Sequence, residues 1–237
     1  MKLALIGHGR MARVVEAQAR ETGHEIGAVI TSRNAAEAPR LLPGHTAAID
    51  FSSPGAVIDH VSAAVAAGVP LVEGTTGWQG DEHAVRRIVE QGGGAMLHGA
   101  NFSIGVNLFY RLVGHAAHLF RDIGGYDPFI EEAHHAGKRD APSGTALALQ
   151  ALLARELGRS VPVTSTRAGH IPGVHRVGLD SAADQVLLVH TARSRAGFAA
   201  GALLGARWIA GRRGMYAFAD VLDDICALAR ETERKDP

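Results

Sequence analysis

The stretch KLALIGHGRMARVVEAQARE, Lys2 to Glu21, constrains the fold of this chain more than any other. A short apolar run of strand length meets Gly7-His8-Gly9, and an amphipathic pattern then runs to Thr22. Gly7, Gly9 and Ala12 stand at the spacing of a Gly-x-Gly-x-x-Gly/Ala loop between a strand and a helix. The first glycine permits a tight turn, and the second lets backbone approach a pyrophosphate. Ala12 is small enough for helix-on-strand packing, and the helix start offers unpaired N–H groups to an anion. The loop predicts a dinucleotide cofactor.

The next eighty residues extend that unit. EIGAVIT, AAIDFS, VPLVEG and AMLHGA read as strands, with helices over AVIDHVSAAVAAG and DEHAVRRIVEQGG between them. Short apolar strands alternating with helices predict a Rossmann-like, doubly wound parallel sheet, an α/β fold. After Asn101 the texture changes. SIGVNLFYRLVGHAAHLF is a long helix, PFIEEAHH a strand, and the segment after Pro142 a helix. VTSTRAG, GVHRVGL and DQVLLVHTARS are strands in succession, which predicts a second, α+β domain with an open mixed sheet. FAAGALLGARWIAG returns to helix, with short helical or irregular pieces after it. The expected domains are 1–104 for the dinucleotide, 105–195 for substrate and oligomerisation, and 196–237 as a return to the first.

The end of the second strand bears on which dinucleotide is bound. An Asp or Glu there commonly holds the ribose hydroxyls of NAD. Here Thr31-Ser32-Arg33-Asn34 has no acid, and Ser32 with Arg33 suits a 2′-phosphate. The loops GTTG (74–77) and GANFS (99–103) come after later strands, where a dinucleotide continues across the sheet, and Phe102 is a candidate to lie against a nicotinamide.

The segment EEAHHAGKRDAPSGTALALQ, 131–150, carries the chemistry. On a strand, His134 and His135 point to opposite faces. Lys138 adds a positive charge, and Pro142-Ser143-Gly144-Thr145 opens a helix whose N–H groups, with the Thr145 hydroxyl, suit a carboxylate. A group that titrates near neutrality beside such a cradle points to proton transfer. No cysteine or regular His/Asp spacing completes a zinc site, so no metal is expected.

The run E-x-H-H-x-x-K-x-D-x-P-S-G-T-A resembles the signature of the dihydrodipicolinate reductase family, the 4-hydroxy-tetrahydrodipicolinate reductases of lysine and diaminopimelate biosynthesis. The likeness runs in order from GHGRMA through IDFSSP, GTTG and ANFSIGVN to HTARSRAGFAAGAL, most of the chain. It implies reduction of a cyclic imine dicarboxylate by NADPH or NADH in a homotetramer. It implies His134 as proton donor/acceptor and Lys138 as a proton donor that aids binding. His135, Ser143, Gly144, Thr145 and Arg195 would hold substrate. Gly7, His8, Gly9, Arg10, Met11, Ala12, Ser32, Arg33, Gly74, Thr75, Thr76, Gly99, Ala100, Asn101 and Phe102 would line the cofactor. Two positions depart from the pattern: Ala12 replaces a frequent third glycine, and Arg193 stands where a small residue is common beside the substrate arginine.

Two other readings share parts of this pattern. Another amino-acid dehydrogenase would have the glycine loop without needing the His-His-Lys and SGT cluster. A non-catalytic NAD(P)H sensor would call for a partner-binding element, and no basic recognition helix is evident. Basic and acidic residues balance at 24 each, which argues against nucleic acid as a partner. The apolar run near Met1 is too short for a signal peptide, and none approaches the ~18 residues of a membrane helix, so a cytoplasmic protein is expected. The single Cys226 permits no internal disulfide.

Overall fold

Strands buried on both faces explain the continuous apolar runs of the first hundred residues. The computed structural model describes residues 1–233 and divides into two units, Met1–Ile104 with the chain from Arg195 onward, and Gly105–Ser194. Residues 234–237, the end of the expected return segment, lie outside the described residues. In the first unit β1 (Lys2–Ile6), α1 (Arg10–Glu21), β2 (Glu25–Ile30), the short α2 (Ala38–Leu41), β3 (Ala47–Asp50), α3 (Val57–Ala66), β4 (Leu71–Glu73), α4 (Glu82–Gln91) and β5 (Ala95–His98) succeed one another. Leu3 and Leu5 of β1 enter one core with Val15 and Ala19 of α1, while Ala4 and Ile6 enter the other with Val57 and Val61 of α3. Period-two alternation thus feeds two helix layers from one strand.

In the second unit, α5 (Ile104–Phe120, entering from the first), β6 (Asp127–His134), α6 (Gly144–Leu157), β7 (Val163–Arg167), β8 (Val174–Asp180) and β9 (Gln185–Thr191) form a sheet in the order β7-β6-β8-β9. β6 and β7 run parallel, and the other pairs antiparallel. Phe109 and Val113 of α5 and Leu149 and Leu153 of α6 pack with Ile130 and Val177 on one face. Register places Ile130 opposite Val177 and Val177 opposite Leu188. The next row on that face is Glu132, His175 and His190. The apolar core therefore gives way to titratable groups one step along the strands.

The chain then returns to the first unit as α7 (Ala196–Ile209), β10 (Gly214–Ala217) and α8 (Leu222–Glu233). Where short helical or irregular pieces were expected, β10 joins β5 in parallel and completes a six-stranded sheet, β10-β5-β4-β3-β1-β2. Its sequence, GMYA, is four residues long and half-buried throughout, too short and uniform to show alternation. Strand order reverses between β3 and β2 around β1, the crevice where such sheets take ligands. Among the described residues, no helix is long and apolar enough to cross a membrane.

Candidate active site

The crevice of the first unit is a cavity of about 810 Å³ lined by Gly7, His8, Gly9, Arg13, Thr31 to Arg33, Phe51 to Ser53 and His60, among others. Gly7 has φ +87°, and a Cβ there would come 2.5 Å from the Phe51 carbonyl oxygen, so only glycine makes this turn without strain. Nothing lies within 4 Å of a Cβ built on Gly9, which leaves backbone open for close approach. The loop after β2 is tied down. The Thr31 N–H donates to Asn34 Oδ1 (2.7 Å) and the Arg33 N–H to Thr31 Oγ1 (3.3 Å), leaving Ser32 and Arg33 exposed. Among the described residues no carboxylate lines the cavity, and Arg13, Arg33 and His8 do. A glycine cradle with arginines and no acid fits a phosphate-bearing dinucleotide.

The other expected cofactor residues divide. Arg10, Thr76 and Ala100 are exposed, Gly74, Gly99 and Asn101 are half-buried, and Met11 and Ala12 pack toward the core. The Phe102 ring, 2% exposed, lies within the core against Phe51 and Phe218, so it serves as packing beneath its loop and not as a surface for a nicotinamide. Sequence reasoning passed over His60, whose Nδ1 meets Asp50 Oδ2 at 2.7 Å, and Arg13, one helical turn beyond Gly9.

Behind the cavity Thr75 holds a buried acidic pair. Its N–H donates to Glu73 Oε1 (2.7 Å), and its hydroxyl accepts from the Ser52 N–H (3.1 Å). Burial first, then the charge of Asp50, push the Glu73 carboxyl up to about 9, so it keeps its proton at neutral pH. Unfolding frees a glutamate that ionises in the ordinary range, so stability falls as pH rises from there toward 9. Glu73→Gln keeps the shape with no proton to lose. The expected result is a flatter melting temperature between about pH 5 and 8, removing a slope of at most ~1.4 kcal/mol per pH unit. Parallel curves for the two proteins would show that Glu73 does not titrate this way.

In the second unit the site is built around Glu132, whose side chain is fully buried. Its Oε1 accepts from Arg167 Nη2 (2.6 Å) and the Ser143 N–H (3.2 Å). Its Oε2 accepts from Arg167 Nη1 (3.0 Å) and from His134 Nδ1. Burial alone would raise this carboxyl, but hydrogen bonds from Arg167, Ser165 and His134 outweigh it and hold it at about 2. His134 is 9% exposed, and burial lowers its pKa while Glu132 opposes the shift. Ser143 caps α6 by accepting from the Ala146 N–H (3.2 Å), and its hydroxyl meets His175 Nε2 at 3.0 Å. Burial and then the His134 charge bring His175 down to about 4, so it is neutral at physiological pH.

Of the residues expected here, His134 and Ser143 lie in this network. His135 is half-buried just past β6, Gly144 is exposed with open space around it, and Thr145 hydrogen-bonds Tyr110. Lys138 Nζ holds both oxygens of Asp140 at 2.8 Å, an exposed pair that costs little to exchange for another carboxylate. Arg195 is exposed at the start of α7, in the return segment. Arg167 and His175 escaped sequence reasoning because register, not spacing, brings them to Glu132.

Glu132, His134 and His175 also present ligand atoms within 4.8 Å of one another, as a metal site would. Both Glu132 oxygens already face N–H donors, two of them on a guanidinium whose charge opposes a cation. The arrangement suits proton transfer better than metal binding.

Known proteins carry both halves of this design. Residues 1–102 match the family described as "Dihydrodipicolinate reductase, N-terminus", and residues 105–222 match "Dihydrodipicolinate reductase, C-terminus". A 4-hydroxy-tetrahydrodipicolinate reductase of Christiangramia forsetii is 33% identical over 238 residues, covering 95% of this chain and 99% of its own. One from Natronomonas pharaonis is 36% identical, covering 94% and 100%. A dipicolinate-bound dihydrodipicolinate reductase from Paenisporosarcina sp. TG-14 shares the fold, with a TM-score of 0.77 at 17% identity over 93% of this chain and 99% of its own.

Proposed function

The chain belongs to the dihydrodipicolinate reductase family, and from that premise we propose that it reduces 4-hydroxy-tetrahydrodipicolinate to tetrahydrodipicolinate with NADPH or NADH, in lysine and diaminopimelate biosynthesis. The observation that carries this is the match to relatives over both units, the glycine cradle in one and the His134 network in the other. Another amino-acid dehydrogenase or an NAD(P)H sensor accounts for the first unit only. Forming the substrate with its synthase in a coupled assay, then monitoring the loss of reduced-cofactor absorbance, tests the activity. No loss with either cofactor would overturn it.

When bound, the reduced nicotinamide supplies the hydride. The chain's own groups position the substrate and handle the proton. The 4-hydroxyl leaves as water to give the conjugated imine that takes the hydride. His134 delivers the proton to a ring carbon, and Ser143, Gly144 and Thr145 offer N–H groups and hydroxyls to a carboxylate at the start of α6. A doubly anionic substrate beside His134 raises its pKa and so favours proton uptake on binding. Lys138→Ala and Arg195→Ala are expected to raise KM for the dicarboxylate about tenfold, since a charge-assisted bond is worth ~1.5–3 kcal/mol. Lys138→Ala should also lower kcat, with cofactor affinity unchanged in both. Normal substrate KM in both variants would place the carboxylate site elsewhere.

The cavity favours NADPH. Arg33 and Ser32 stand at the end of β2 with Arg13 nearby and no carboxylate to meet a 2′-hydroxyl. Arg33→Ala should cut a preference of about tenfold or more in kcat/KM for NADPH over NADH, and an unchanged ratio would sink this assignment.

A homo-oligomer, a tetramer in this reading, is supported by the face of the second sheet opposite α5 and α6. Phe129 lies there with Leu187 and Val189, which are 44% and 50% exposed. A mass measured by light scattering tests it. A cytoplasmic setting suits a chain whose one cysteine, Cys226, is a free thiol.

A further inference from the structure

A buried carboxylate can only accept hydrogen bonds, and that single fact decides which nitrogen of His134 carries the ring proton. Each Glu132 oxygen receives an Arg167 N–H, and Oε2 also meets His134 Nδ1. Nδ1 must therefore donate, which leaves Nε2 as the nitrogen free to take up or give a proton. Gly173 of the second unit faces that nitrogen: a Cβ on it would lie 3.2 Å from His134 Nε2. The space over Nε2 is thus kept free by the absence of a side chain.

We propose that Glu132, clamped by Arg167 and the Ser143 N–H, is the positioning residue that fixes His134 in its Nδ1–H form and aims Nε2 at the reacting centre. The inference deepens the reading of His134 as the proton carrier and rests on it. Glu132 does not touch substrate; it acts through the ring it orients. Four charged or titratable groups surround that ring: Glu132 on β6, Arg167 on β7, His175 on β8 and Lys138 in the loop after β6. Glu132 alone of these favours the imidazolium. Arg167 opposes it, and in return keeps Glu132 ionised.

Glu132→Gln tests the clamp because the carboxamide cannot satisfy every donor. Both donors at Oε1, the Arg167 and Ser143 N–H groups, are fixed, whereas at Oε2 only the Arg167 Nη1 N–H is, since the His134 ring can change tautomer. The amide oxygen therefore belongs at Oε1 and the NH₂ faces His134. The NH₂ then needs an acceptor at Nδ1 and forces the ring proton to Nε2. The expected result is a drop in kcat of about 10²-fold with substrate KM and cofactor Kd little changed. The basic limb of the kcat–pH profile should also move to lower pH, because the variant loses the one group that favours the imidazolium. Glu132→Asp, which keeps the charge on a shorter arm, should recover part of kcat. In a His134→Gln background, Glu132→Gln should add less than about twofold, since the two act as one unit.

Imidazole ¹⁵N shifts of the wild-type protein, recorded above the His134 pKa, report the tautomer without any variant. The Nδ1–H form is expected. An Nε2–H form overturns the proposal, as does a Glu132→Gln enzyme with wild-type kcat and pH profile, or one whose loss is undiminished in the His134→Gln background. A His134→Gln enzyme that keeps full kcat would instead bring down the reading of His134 itself, and the tautomer spectrum separates that failure from this one.

Discussion

Replacing His134 with glutamine should cut kcat by about 10²–10⁴-fold, the usual worth of a positioned acid or base. The glutamine side chain reaches the same region and can hydrogen-bond, but it cannot release a proton near neutral pH. Cofactor affinity should stay put, because the glycine cradle and its arginines belong to the other unit. The wild-type pH profile supplies a second readout. Burial holds the His134 pKa below the ordinary histidine value, and Glu132 draws it partly back. A proton donor is active when protonated, so kcat/KM should fall as pH rises through that lowered pKa, and the variant should lose this limb. Steady-state kinetics across pH, with a fluorescence titration of NADPH, measure both effects. A variant that keeps kcat within about threefold of wild type would mean that another group supplies the proton.

That Glu132 and His134 can be paired from sequence, while Arg167 and His175 cannot, has a physical reason. Glu132 and His134 are two apart on one strand and so share a face, which the E-x-H-H spacing shows directly. Arg167 lies 35 residues beyond Glu132, on a strand that pairs with β6 in parallel, and His175 comes from the antiparallel partner on the other side. Nothing local encodes those registers. They are set when Val163, Ile130, Val177 and Leu188 line up under α5 and α6, and the polar row next to them is placed with them. The glycine loop was legible because each of its parts has a local cause: a turn with positive φ, a close approach and a helix start. Phe102 shows the limit of position alone. It comes after a strand at the ligand-facing edge, yet its ring fills a core space between Phe51 and Phe218. β10 was hidden for another reason, since a four-residue strand owes its existence to the neighbour it pairs with.

The helix that returns to the first unit carries the other large expected effect. α7 presents Ala199, Gly201, Ala202, Gly205 and Ala206 to the sheet, all buried, and these small residues let its backbone come close. At Gly201 the approach is closest: a Cβ there would overlap the carbonyl oxygen of Phe102, and the Phe218 ring lies 3.4 Å away. A carbonyl cannot rotate aside as a side chain can, so helix or loop must move. Gly201→Ala should therefore destabilise the protein by about 3 kcal/mol or more, at the upper end for overpacking, despite a gain of up to ~1 kcal/mol in helix propensity. Gly197 on the same helix provides the control. A Cβ there meets only Ser103 Oγ, at 3.7 Å, which is ordinary contact. Gly197→Ala makes the same chemical change in the first turn of α7, where the propensity gain is smaller, so it should be neutral or raise stability by less than ~1 kcal/mol. Urea unfolding of the two variants exposes the packing term, because propensity favours the interior Gly201 substitution and only packing can reverse that order. On the proposed reading of Gly99 to Phe102 as a cofactor loop, the Gly201 variant should also bind the reduced cofactor more weakly, since that loop cannot keep its path if Phe102 is displaced. Equal stabilities for the two variants would show that α7 does not rest on Phe102 in solution.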